Sequence, residues 1–296
     1  MGKWRTSGSF HVMKLTLMRY HLRSDRLLRN TLKNGKGVEG CMDFEYEFYS
    51  DGFFGYGKEG DFQAYGLDYF IPILLFALAV VFTVIKKDKL KVWKGEKTFR
   101  FVIGFIIMII EMSYYWRVLY VGNENNGKSL MTKLPFQLCE FGAYCAIFMI
   151  TSLSDTLFGL NFFITLIGAG IAVLFPQTVI STCGPGYYRY YHFWGEHLLS
   201  IFAVIYVMIV HDKKPKYRSI WISYFATLLL TIPATILNMK YDDANYLYLR
   251  QDISFFPDSY GWRIVVYSVI MILLFHILWG IWYLIERRKR KRRVAY

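Results

Sequence analysis

Apolar residues along this chain gather into blocks of about 20, separated by short polar stretches, with no sustained alternation and no one-faced amphipathic repeat. An α-helix of that length crosses a hydrocarbon core of roughly 30 Å at 1.5 Å per residue. The blocks predict seven spans, at about residues 68–86, 98–120, 134–153, 157–176, 191–210, 218–237 and 262–285. The second is the least apolar, because Arg100, Glu111 and Arg117 interrupt it. Pro135 and Pro176 mark helix ends, and Pro72 and Pro233 sit near ends where a membrane helix tolerates proline. The expected fold is all-α, a polytopic membrane protein with a bundle of about seven transmembrane helices over residues 68–286 and a basic tail at 287–296.

Composition agrees with the pattern. Of 296 residues, 55% are hydrophobic and 19% aromatic, against 19% charged, which excludes a disordered chain, a disulfide-rich module and an ordinary soluble enzyme. The net charge of +13 suggests nucleic acid until its placement is considered. Most of the Lys and Arg flank the apolar blocks, and no compact basic domain with a recognition motif accompanies them, so no nucleic-acid role is expected. Stretches 86–100, 211–218 and 287–293 carry seven, four and seven Lys/Arg; the alternating stretches 121–133, 177–190 and 238–261 carry two, one and two. The asymmetry places the C-terminus in the cytoplasm and, with seven spans, the N-terminus outside. The final basic run then anchors on anionic lipid.

Residues 1–41 run against that orientation, with nine basic and two acidic residues and a helical spacing of Leu15, Met18 and Leu22 among the cations. Met42 opens a different stretch, acidic and aromatic, with seven acidic residues through 68 and Lys58 as its one cation. The reading that reconciles the two takes Met42 as the natural start and 1–41 as an upstream extension. The stretch 42–67 is then an extracytoplasmic segment.

Ionisable groups inside spans are costly, so each is a functional candidate. By the predicted topology Cys139 lies about 7–8 Å and His197 about 9 Å below the outer face, with Glu111 about 13 Å down. Asn238 closes the sixth span on the same side, whereas His276 lies nearer the inner face. Each has a plainer role open to it. Cys139 packs or pairs with Cys183, His197 bonds a neighbouring helix, and Glu111 pairs with Arg117 or bonds Tyr115 one turn away. Glu196 beside His197 is expected on a different helix face. Cys41 and Cys145 have no partner at metal-ligand spacing and no CxxC or HExxH occurs, so neither a metal nor a cofactor is expected. Gly168, Ala169, Gly170 and Ala172 in the fourth span read as close helix packing.

The segment Leu134-Pro135-Phe136-Gln137-Leu138-Cys139 resembles the "Leu-Pro-Leu-His-Leu-Cys" signature of the bacterial YwaF-type integral membrane proteins. That family is related to the eukaryotic transmembrane cysteine acyltransferases that remodel ether phospholipids. Pro176, Phe-Trp-Gly-Glu-His at 193–197 and Asn-Tyr-Leu-Tyr-Leu at 245–249 follow in the same order, and the resemblance covers about 67–285. It implies a bacterial cell membrane, Cys139 as nucleophile and His197 as its partner. More distantly, the pair resembles the Thr/His site of the androgen-induced integral membrane lipid hydrolases. Gln137 stands where the pattern usually has His.

The expected function is a membrane-embedded acyl-group enzyme, a phospholipid acyltransferase or acyl-ester hydrolase, acting on phospholipids or lysolipids without cofactor or protein partner. Neutral His197 takes the Cys139 proton and the thiolate attacks an acyl ester. Asn238, Asn245 or Trp116 are candidate oxyanion donors, and Glu111 a candidate to orient the imidazole. Two other classes stay open: a small-solute transporter or channel using the same buried groups, and a non-catalytic membrane protein whose site has decayed, for which Gln137 is the best sign.

Overall fold

The computed structural model describes residues 62–121, 130–176, 184–250 and 259–294. The readings of 1–41, of Met42 and of Cys183 fall outside these residues. Among the described residues there are seven α-helices: α1 (Leu67–Val92), α2 (Glu96–Val121), α3 (Leu138–Ser152), α4 (Asp155–Leu174), α5 (Tyr188–Val210), α6 (Arg218–Lys240) and α7 (Tyr260–Val294). A 3-10 turn, Tyr246–Tyr248, lies between α6 and α7. No β-strand occurs among the described residues, and the chain is a polytopic helical membrane protein. The last helix runs on through the basic stretch that the sequence suggests is a separate tail.

Among the described residues, six helices are long and apolar enough to cross a membrane. The exception is α3, 15 residues long, or about 22 Å at 1.5 Å per residue, where the sequence predicts a full span from 134. Pro135 explains the difference. It disfavours helical geometry at Leu134 and supplies no N–H of its own, so the helix begins at Leu138 with Gln137 as its extended N-cap. The non-helical backbone before it is satisfied within the protein. Leu134 N–H donates to the Tyr246 hydroxyl (2.7 Å), Phe136 N–H to the Leu134 carbonyl (2.7 Å) and Gln137 N–H to a Glu140 carboxylate oxygen (3.3 Å). Irregular backbone is tolerated in a membrane protein where protein groups pair it in this way.

Helix α5 is the centre of the bundle, packed against α1, α2, α3 and α4. In its apolar window 72% of residues are buried, against 11% in α1 and in α7; these two present Leu74, Leu75, Leu78, Val265, Val269 and Leu273 outward, a lipid-facing surface. Apolar lipid gives helices no hydrophobic reason to associate, so close packing carries the contact. A Cβ at Gly142 on α3 would come within 2.7 Å of Thr165 Oγ1 on α4. One at Gly195 on α5 would lie 2.9 Å from Ile110 Cδ1 on α2. Pro72 leaves the Asp68 carbonyl without its helical donor, and the Tyr190 hydroxyl from α5 donates to it at 2.6 Å.

Arg100, the cation that weakens the second predicted span, is buried and bonded. Its Nε donates to both Glu96 oxygens (2.9 and 3.1 Å) and its Nη1 to the carbonyls of Ile150 (2.7 Å) and Thr151 (2.9 Å). Those carbonyls close α3, so Arg100 caps the short helix at the end where unpaired carbonyls gather. His211 Nε2 and the Tyr206 hydroxyl also reach Glu96 Oε1, at 2.6 and 3.3 Å.

Candidate functional site

Cys139 is the second residue of α3, in the turn where backbone N–H groups lack helical acceptors and negative charge is favoured. Its backbone packs on α4: a Cβ at Gly168 would lie 3.2 Å from Cys139 N and 3.3 Å from the Leu138 carbonyl carbon. Gly168 precedes the end of α4, Leu174, by six residues, so the thiol is recessed by about 9 Å from that end. Gly170, by contrast, has nothing within 4 Å of a built Cβ and is not a packing contact. Cys139 is half-buried and its thiol is free.

The Cys139 thiol, a Glu196 carboxylate oxygen and a His197 ring nitrogen lie within 4.8 Å of one another. His197 is buried on α5 with its Nδ1 at 2.7 Å from the Phe193 carbonyl. A carbonyl accepts, so Nδ1 bears the proton and, in the neutral ring, Nε2 is left basic. Nε2 has no hydrogen-bond partner among the described residues. Glu196 does not face away as its neighbouring position suggests. Its Oε2 lies 3.8 Å from His197 Nδ1 and 3.6 Å from His192 Nδ1, one turn back. Three rotatable side-chain bonds carry the carboxylate around the helix, which face counting does not capture.

Glu111 is buried at the edge of this group, within 4.8 Å of His192 and Glu196 by their ligand atoms. The Arg117 guanidinium lies over the Tyr188 ring at 5.4 Å. Arg189 Nη1 donates to His192 Nδ1 at 2.7 Å and the same guanidinium lies 5.3 Å from the Tyr114 ring. His192 and Arg189 are not among the residues the sequence singles out; Arg189, the lone cation of 177–190, is the signal that was there.

Of the candidate oxyanion donors, Asn238 has both of its side-chain atoms engaged elsewhere. Asn238 Oδ1 accepts from Tyr246 N–H (2.8 Å), and its Nδ2 donates to the Tyr246 carbonyl and the Tyr260 hydroxyl, both at 3.0 Å. Asn245 Oδ1 accepts from Arg250 N–H at 2.9 Å. Trp116 is 52% exposed, on the outer surface of α2. Gln137 donates through Nε2 to the Asn245 carbonyl (3.1 Å) and accepts at Oε1 from Leu247 N–H (2.8 Å). Tyr246, whose phenol burial pushes above its ordinary value, donates to the Met131 carbonyl at 2.7 Å. The stretch 245–249 is thus a clamp that holds the entry to α3, and Gln137, Asn238 and Asn245 are its pins.

Apolar helices around a half-buried thiol, two imidazoles and buried carboxylates define a polytopic membrane protein with a polar site inside one end of its bundle. The chain belongs to the TMEM164 family, a family of transmembrane proteins, which it matches over residues 64–283. That match takes in Cys139, His197 and every residue of the clamp. Comparison with curated proteins and with solved structures gives no match.

Proposed function

We propose that this protein is a membrane-embedded acyl-group enzyme in which Cys139 is the nucleophile and His197 its base. The observation that carries the reading is the convergence of the Cys139 thiol with the His197 imidazole within 4.8 Å, the ring held so that its free nitrogen is the basic one. Catalytic hydrogen bonds in ligand-free sites are commonly loose and tighten around substrate. The resemblance to the YwaF-type proteins of bacterial membranes and to ether-lipid acyltransferases supports a phospholipid or lysolipid as substrate.

The proposed steps use the chain's own groups. His197 Nε2 takes the Cys139 proton as sulfur bonds to the ester carbonyl carbon, and the first-turn N–H groups of α3 stabilise the oxyanion in place of the asparagines. The intermediate collapses, the ester C–O bond breaks, and the departing lysolipid oxygen takes the proton back from the imidazolium. A thioester remains on Cys139. A second lipid hydroxyl, or water, gives its proton to His197 as it attacks, and the thiol is restored. Gln137 serves the clamp, so its difference from His does not by itself argue for a decayed site.

The transporter reading finds less support. Between the Glu96–Arg100 cluster at one end and the Cys139 site at the other, the core buries Ile103, Ile107, Ala143, Ala146, Met149 and Phe163, and the buried polar residues among them, Asn161 and Thr165, are bonded to each other at 2.6 Å, where a solute path needs a continuous polar lining. The test is labelling of detergent-solubilised protein with an acyl-ester or chloroacetamide probe. With Cys41 and Cys183 changed to Ser, the protein labels, adding Cys139→Ala abolishes labelling, Cys145→Ala leaves it unchanged, and His197→Ala slows it by about 100-fold or more. Labelling indifferent to His197 overturns the reading.

A further inference from the structure

Sequence spacing points to no metal centre, yet the fold assembles a ligand set from two helices. Cys139 comes from the start of α3, and Glu196 and His197 from α5. Their donor atoms lie within 4.8 Å of one another, where tetrahedral ligands of a zinc ion sit roughly 3–4 Å apart at bond lengths of about 2.0–2.3 Å. We infer that Cys139, Glu196 and His197 form a site for one thiophilic divalent cation, Zn2+ fitting best, and that its occupation withdraws the thiol from acyl chemistry. The second half of that statement rests on the function proposed above; the first does not.

Four observations carry it. The donors are one thiol, one imidazole and one carboxylate, a set that suits Zn2+ and, through its sulfur, disfavours Ca2+ and Mg2+. Two of these side chains also carry a buried polar atom without a hydrogen-bond partner among the described residues, Glu196 Oε1 and His197 Nε2, on side chains 2% and 1% exposed. His197 Nδ1 is bonded to the Phe193 carbonyl, the outer contact that fixes a ligating imidazole with Nε2 toward its ion. Charge balances as well: a thiolate and a carboxylate with a divalent ion sum to zero, the form a membrane interior accepts most cheaply. The thiol proton leaves to solvent as the sulfur–metal bond forms.

The neighbouring set of Glu111, His192 and Glu196 also converges within 4.8 Å but is less suited. Arg189 Nη1 donates to His192 Nδ1 at 2.7 Å; this places the neutral ring's proton on Nε2 and a fixed positive charge beside the would-be ion.

The test uses the full chain in detergent with Cys41, Cys145 and Cys183 changed to Ser, so that Cys139 is the one thiol. After chelation, Co2+ is titrated in as a spectroscopic stand-in for Zn2+. The expected result is one Co2+ per chain with a thiolate-to-cobalt charge-transfer band, displaced by Zn2+ and absent once Cys139→Ser is added. Glu196→Gln and His197→Ala weaken binding by about 10-fold or more. No band in the Cys139 protein at saturating Co2+, or a band that survives Cys139→Ser, overturns the site, and the first of these needs no variant at the site. Probe labelling in the presence of chelator separates the two proposals. A thiol that labels but binds no cobalt removes the metal site and leaves the nucleophile; one that binds cobalt and never labels does the reverse. Where both hold, Zn2+ blocks labelling and chelator restores it.

Discussion

Gln137, Asn238 and Tyr246 each spend their polar atoms on backbone groups of another segment. Replacing Gln137 by Ala strands the Leu247 N–H and the Asn245 carbonyl, so denaturation in detergent is expected to show a loss of about 1–3 kcal/mol. Probe labelling of Cys139 falls with it, because α3 then starts from a loosened N-cap. An unchanged stability contradicts the clamp. At this scale the sequence is a partial guide. Cys139 and His197 are readable because a thiol and an imidazole are rare and costly in a membrane span. The roles of Asn238 and Asn245 are not, since an amide at depth serves backbone or substrate equally well until its partners are known. Glu196 is missed for a geometric reason: helical face assigns its Cα, while its carboxylate reaches back to both His192 and His197.

Among the elements, α3 and α4 set where the thiol sits. Gly168→Ala puts a Cβ 3.2 Å from Cys139 N, whereas Gly170→Ala meets nothing within 4 Å. The first is expected to slow Cys139 labelling several-fold; the second leaves labelling unchanged and stabilises by up to about 1 kcal/mol through helix propensity. Equal effects at the two positions contradict the packing described. The far end of α3 depends on Arg100, whose bonds tie Glu96 and the Ile150 and Thr151 carbonyls together. Arg100→Met leaves the Glu96 carboxylate buried with less compensation and should cost about 3–5 kcal/mol in the same denaturation experiment. The block pattern predicts all seven helices because a bilayer fixes their length and hydropathy. It overextends α3 because its apolar run continues past the real start; Pro135 and Gln137 are the signals that end it, and they count for more than hydropathy there.

For the whole molecule, two polar clusters occupy opposite ends of one bundle, with mostly apolar packing and the mutually bonded pair Asn161–Thr165 between them. Proteoliposomes are therefore expected to show no protein-dependent flux of small solutes or ions, and a specific flux would favour the transporter class. The orientation drawn from the charge asymmetry predicts that a fluorescent protein fused after Tyr296 folds and fluoresces in the cytoplasm; an alkaline phosphatase fusion active at that point reverses it. The site lies at the end where α2, α4 and α6 end and α3 and α5 begin, which a fluorescent fusion would make the outer end. The proposed function requires that this site carry acyl groups on sulfur. Its most direct test is intact-protein mass spectrometry after incubation with phospholipid. The expected result is one acyl adduct per chain, released by neutral hydroxylamine, mapped to Cys139 and absent from Cys139→Ala. An adduct that persists in Cys139→Ala, or no adduct on a folded wild type across phospholipid and lysolipid substrates, contradicts it.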